Sequence, residues 1–214
     1  NRVIEAILSR RSRREGFSPA PVPAAVVEEI VRCGLAAPSS KNARPWRFHV
    51  VTGRALRDEL AGLVERSSGV ETYVPFDPAL GGPRPGFSST VLESAAVLRS
   101  APVAIFVENR GVFGGGRQAL LEASPERLAS SIVGYTFEVM GVGAAVENMW
   151  LAAVAHGLDG VFMGDVLIAE REIGRRLSVD GDLVGVLALG YPEDRTEPPG
   201  RASGELAADR IRWY

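Results

Sequence analysis

Apolar residues recur at three- and four-residue spacing at the start of the chain, at Val3, Ile4, Ile7 and Leu8, which predicts a short amphipathic helix. A second helix opens at Pro23, whose fixed φ suits a first turn. It carries Val27, Ile30, Val31 and Leu35 on one face and stops at Pro38. RFHVV at 47–51 reads as a strand, and Leu56, Leu60, Leu63 and Val64 mark a third helix. VLESAAVLRS predicts a fourth, followed by a buried strand in PVAIFV at 102–107. From Leu128 to Leu158 almost no polar face is left, so this helix is expected to be buried, either centrally or between subunits. GVFMGDV and LVGVLALGYP read as two further strands with a short helix, AEREIGRRL, between them. The polar tail ends in Ile211, Trp213 and Tyr214, an alternation that suits an added edge strand, on this chain or on a partner.

Two stretches break the pattern. Residues 68–87, rich in Gly, Pro and Ser, form a long loop of the kind used as lids or binding loops, and GVFGGGR at 111–117 reads as a second flexible loop. The expectation is one domain over 1–214, with loop insertions near 68–87 and 108–118 and a C-terminal arm at 192–214. With 214 residues and 46% hydrophobic content, the chain can bury a full core. A net charge of −2 gives no basic field for nucleic acid or anionic membranes, so neither is expected as a partner. The opening residues lack the apolar core of a signal peptide, and no uninterrupted run of membrane-spanning length is expected. Cys33 is the single cysteine, which excludes an intrachain disulfide and a thiolate metal cluster and fits a reducing, cytoplasmic setting.

GGGRQA at 114–119 matches the G-x-G-x-x-A outline of a dinucleotide loop. ENRGVF separates it from the preceding strand, however, and Pro125 interrupts the following segment after about two turns, so no βαβ unit is completed. A mobile surface loop is the better reading. His49 and His156 lack ligand spacing and read as structural, so no metal is expected. There is no G-x-S-x-G elbow and no activating histidine near Cys33, which leaves no visible nucleophile.

Most informative is SRRSRREGF at 9–17, with Arg10, Arg11, Arg13 and Arg14 around Ser12. A charge run at a helix end is ordinarily solvated. If the first helix continues through it, Arg10 and Arg14 share a face while Arg11 and Arg13 diverge. Like charges on one face repel, and a dianion between them turns that cost into attraction, with the Ser12 hydroxyl as a further donor. The second such stretch is AAPSSKNARPWRFHVV, where Ser39, Ser40 and Asn42 sit on a polar turn framed by apolar elements. That is either a connection rich in turn formers or a place where the edge of a planar ligand finds hydrogen bonds.

Arg10-Arg11-Ser12-Arg13-Arg14 followed by Ala37-Pro38-Ser39-Ser40-Lys41-Asn42-Ala43-Arg44-Pro45-Trp46 resembles the FMN-dependent nitroreductase family, and the likeness continues through VENMWLAAVAHGLDG and LVGVLALGYP. The resemblance implies an α+β class and a three-layer α/β/α fold around a central mixed sheet. It also implies a domain-swapped homodimer with FMN at the interface. By the same likeness Arg10, Ser12 and Arg14 hold the FMN phosphate or ribityl chain, with Arg11 acting through its backbone. Pro38, Ser39, Ser40 and Asn42 approach the flavin from the other subunit, Phe162, Met163 and Gly164 lie at its N5 and O4 edge, and Arg201 is a late phosphate contact. Arg44 stands where glutamine is common, and Pro199-Gly200 supply no lysine beside Arg201.

The implied reaction is ping-pong hydride transfer through flavin N5, from NAD(P)H to a nitroaromatic, quinone or other small organic acceptor. The implied pocket is dry and roofed by the loops at 68–87 and 108–118, and no side chain is named as catalytic. Charged hydrogen bonds contribute roughly 1.5–3 kcal/mol each, whereas micromolar retention takes about 8 kcal/mol. Ring burial between subunits therefore has to contribute, which couples dimerisation to cofactor binding. Three other readings stay open: a non-catalytic flavin-sequestering protein, a flavin dehydrogenase or tailoring enzyme reduced by its own substrate, and a cofactor-free interaction module.

Overall fold

The computed structural model describes residues 2–74, 76–86, 89–194 and 212. Helices α1 (Arg2–Ser9) and α2 (Ala24–Leu35) precede strand β1 (Trp46–Val51) and helix α3 (Arg54–Glu65). A small hairpin, β2 (Phe76–Asp77) with β3 (Gly82–Pro83), interrupts the expected 68–87 loop. Then come α4 (Thr90–Ser100), β4 (Val103–Asn109), α5 (Gly116–Leu121), α6 (Pro125–Ala155), β5 (Asp159–Met163), α7 (Glu170–Leu177) and β6 (Asp182–Gly190).

The sheet runs β1-β4-β6-β5, and each of its ladders is antiparallel. Its parallel component, among the described residues, is the isolated bridge of Ser12 to Gly160 at the β5 edge. All seven residues of β4 are buried, as a central strand covered on both faces requires. Ala104 and Phe106 face α3, α4 and α7, while Val103, Ile105 and Val107 face α2 and α6. Two apolar clusters thus lie on opposite sides of one sheet, giving an α/β/α sandwich.

The alternation along β6 is reset by a bulge. Val186 and Ala188 share the α3/α4 face with Leu183, because the register shifts where Val107 gives way to Glu108. Gly185 sits in that bulge at φ 154°. A Cβ there would come 2.7 Å from Cζ of Phe162 and 2.8 Å from the Met163 carbonyl oxygen, so a bare backbone lets β5 close onto β6.

Helix α6 departs from expectation in two respects. Pro125 does not interrupt a helix but starts one, at its first turn, and the helix then runs unbroken for 31 residues. By length and composition it could cross a membrane, contrary to the expectation that no run reaches that length. Its second half, including Val142, Ala145, Val146, Met149 and Ala153, is instead core. In its first half Leu128, Ile132, Val133, Phe137 and Met140 are exposed, as are Val3, Ile4, Ile7 and Leu8 of α1. The C-terminal edge strand and Arg201 fall outside the described residues.

Candidate functional site

Helix α1 ends at Ser9, so the arginine run is not helical and Arg10 and Arg14 do not share a helix face. The chain instead lies along β5. Ser12 bridges Gly160, and the Arg13 amide donates to the Gly160 carbonyl at 2.8 Å. Extended backbone alternates sides every residue. Arg11 and Arg13 accordingly converge on one carboxylate oxygen, Asp159 Oδ2, at 3.3 and 2.7 Å. Arg10 leaves in another direction. Its guanidinium carbon lies 4.3 Å from the Trp150 ring centroid, and its Nε is 3.7 Å from Glu147. Ser12 is exposed, as is Arg14, for which no carboxylate partner occurs among the described residues. The grouping of Arg10, Ser12 and Arg14 apart from Arg11 and Arg13 thus has a period of two, not of 3.6.

Arg14 borders two cavities. One, of about 470 Å³, is lined by Arg14, by Phe162, Met163, Gly164 and Asp165 at the end of β5, and by Thr90, Glu93 and Ser94 from the first turns of α4. The other, of about 350 Å³, is formed by Arg11 to Glu15. Both volumes lie in the range of small-molecule sites. Because the two adjoin at Arg14, the pair suits an elongated ligand with a flat end against Phe162 and an anionic end among the arginines. The β5 residues and Arg14, read separately from the sequence, come together here. Among the described residues the cavity wall opposite β5 comes from α4, and none from 68–74, 76–86 or 108–118 lines it.

Pro38, Ser39, Ser40 and Asn42 do not line this cavity either. They form an exposed to half-buried turn after α2, containing a single 3-10 turn at Ser40–Asn42. Lys41, Asn42 and Arg44 have φ values of 50°, 54° and 48°. Left-handed backbone at non-glycine residues costs roughly 1–3 kcal/mol each and clusters at functional positions. The turn is held by the Arg44 amide donating to Ser39 Oγ at 2.9 Å and by Arg44 Nε donating to Asn42 Oδ1 at 3.0 Å. It rests on α6, where a Cβ at Gly141 would lie 3.2 Å from that of Ser39. Within one chain, then, the candidate ligand groups fall into two sets on separate surfaces.

The glycine-rich loop is not a free surface loop. It wraps a buried carboxylate, Glu138 of α6, which accepts from the amides of Phe113 at 2.9 Å and Gly116 at 3.2 Å, from the Gly114 amide, and from Asn109 Nδ2 at 2.9 Å. Gly111, Gly115 and Gly116 take positive φ to aim those amides inward. The donors a dinucleotide loop would offer to phosphate are therefore consumed internally. The neighbouring Arg117 binds Glu170, a hydrogen bond that raises its guanidinium above its ordinary value, and its amide donates to Asp182 at 2.6 Å. Both histidines meet carboxylates: His49 Nε2 lies 2.7 Å from Glu108, and His156 Nε2 lies 3.2 Å from Glu29. Asp159, Trp150, Glu147 and Glu138 went unread in the sequence. Asp159 directly before Gly160 could have been found as the acid that opens the strand beside the arginines; Glu138, one acid in an apolar helix, gave no such signal.

Residues 7–191 match the profile of the nitroreductase family. A Methanothermobacter thermautotrophicus protein, provisionally named an NADH dehydrogenase/NAD(P)H nitroreductase, is 28% identical over 202 residues, spanning 92% of this chain and 80% of its own length. A provisionally named nitroreductase of Desulfovibrio desulfuricans, solved in complex with FMN, has a TM-score of 0.65 at 24% identity over all of this chain and 97% of its own. The NADPH:FMN oxidoreductase of Vibrio harveyi, solved with NAD+, has a TM-score of 0.66 at 21% identity over all of this chain and 77% of its own. These structural likenesses establish the fold.

Proposed function

We infer that this chain, which belongs to the nitroreductase family, is an FMN-dependent oxidoreductase that acts on NAD(P)H and a small organic acceptor. The observation that carries the reading is Arg14: an exposed guanidinium without a carboxylate partner among the described residues, set where an elongated cavity meets the end of β5. A phosphate-bearing planar cofactor fits that pair of surfaces. Arg14 and Ser12 hold the phosphate and ribityl chain and Arg11 contributes through its backbone, while Arg10, stacked on Trp150 beside Glu147, lines neither cavity and would have to turn to join them. Phe162, Met163 and Gly164 border the ring.

Two copies of the chain are needed. The exposed apolar residues of α1, and separately those of the first half of α6, support self-association, since large apolar side chains left in water favour burial against a second copy. Association along α6 brings Pro38, Ser39, Ser40 and Asn42 of one copy to the cavity of the other, which completes the site. When bound, FMN would supply the two-electron redox chemistry between NAD(P)H and an acceptor such as a nitroaromatic or a quinone. The protein orients the ring, anchors its phosphate and excludes water; no side chain needs to act as acid or base.

Purified protein should be yellow and release FMN, not FAD, on denaturation. Anaerobic NADPH or NADH should bleach the flavin, and a quinone should restore its colour. Protein that takes up no FMN would overturn this reading. Bound flavin reduced by neither donor would leave a carrier or an enzyme reduced by its own substrate.

A further inference from the structure

We propose that the acceptor is a planar aromatic molecule bearing a carboxylate, and that Lys41 and Arg44 recognise that group. This rests on the flavin reading above, in which the 38–44 turn meets the ring of the other copy.

Two cations project from the strained turn. Lys41 and Arg44 are both exposed, and among the described residues neither is paired with a carboxylate. Arg13, Arg47, Arg117 and Arg176 all have such partners. What sets these two cations apart is their place, on a turn where three left-handed residues fix the backbone.

Aromatic surface adjoins them. The Lys41 ammonium lies 5.8 Å from the Phe113 ring centroid. Phe113 meets Phe137 edge to face, with centroids 6.2 Å apart and planes at 87°. Phe137 is one helical turn from Gly141, the point where Ser39 rests on α6, so the turn and the two rings form one patch. A flat ring fits against Phe113 and Phe137, and its anion fits the two cations.

The test uses the flavin-loaded protein with 4-nitrobenzoate and its neutral isostere 4-nitrobenzamide, each with NADPH and with NADH. In each two-electron turnover the donor loses a hydride and the nitro group gains two electrons and two protons, one of them from solvent, giving a nitroso group and water. The expected KM for the carboxylate is lower than for the amide by about tenfold, equivalent to about 1.4 kcal/mol. In the Lys41→Gln/Arg44→Gln variant the ratio of the two KM values should collapse toward unity. The Kd for benzoate, read from perturbation of the bound flavin's absorbance, should rise about tenfold. The swap Lys41→Arg/Arg44→Lys should restore both, which separates charge from folding.

Equal KM values in the unaltered protein overturn the inference while leaving the flavin reading intact. If the variant changes the NADPH-to-NADH ratio and not the carboxylate-to-amide ratio, the recognised anion is the donor's phosphate and the acceptor assignment falls. Failure to take up FMN brings down both.

Discussion

Arg13 donates from Nε to Asp159 Oδ2 at 2.7 Å, and Arg14, the next residue, lies on the cavity wall with no acid of its own among the described residues. The two neighbours therefore have different work. Arg14→Ala should weaken FMN retention about ten- to a hundredfold, as expected for losing a charged hydrogen bond of roughly 1.5–3 kcal/mol. Arg13→Ala should lower the melting temperature and leave flavin affinity within about threefold, since it leaves the largely buried Asp159 carboxylate with Arg11 alone. Flavin fluorescence titration and thermal melts on the same preparations distinguish the two; equal flavin loss in both variants would contradict the assignment.

Glu138 predicts a different failure. Glu138→Ala leaves the amides of Phe113, Gly114 and Gly116 and the Asn109 side chain without their acceptor. Each buried donor so stranded costs about 1–3 kcal/mol, and the loop at 110–116 should come loose before the sheet does. Hydrogen exchange should show loss of protection at these amides, with urea denaturation reporting a loss of about 3 kcal/mol or more. Unchanged protection would mean that the carboxylate does not hold the loop.

Much of this fold was legible in the sequence, because periodicity marks elements that bury one face. Val27, Ile30 and Leu60 fall on the core sides of their helices, and β4 reads as a strand covered twice. The arginine run was misjudged for a physical reason. Continuing a helix is the default after Leu8, but pairing of Ser12 with Gly160 is a contact about 150 residues away, which local pattern cannot reveal. The same holds for Glu138, whose partners lie on another element. Residues 10, 12 and 14 separate from 11 and 13 on an extended chain as well, by alternation of sides and not by a helical face.

Tyr135 gives a pH test. Burial first, and the negative charge of Asp182 next, push its phenol above the ordinary value, with Arg117 opposing. Above about pH 10 the unfolded chain releases this proton before the native protein does. Its contribution is therefore complete below that point and is lost as pH rises through the native value. Tyr135→Phe should have a flatter alkaline limb in urea midpoints than the unaltered chain. Parallel limbs would refute the assignment.

Self-association along α6 predicts that Ile132→Glu, at a half-exposed position in the apolar surface, yields monomers. Burying that carboxylate between copies costs roughly 2 kcal/mol or more, about a thirtyfold change in dissociation constant. Sedimentation should show the change, and flavin should be lost in step with it, while circular dichroism stays the same. A variant that is monomeric and fully yellow would separate the cofactor from the second copy.

The strand-like course of residues 10–14 beside Gly160 makes this segment sensitive to parity. Deleting or inserting one residue within the paired segment would exchange the two sets of side chains, turning Arg14 toward Asp159 and Arg13 toward the cavity. Natural or engineered length changes here should be tolerated in steps of two, a rule that a helix at this place would not impose.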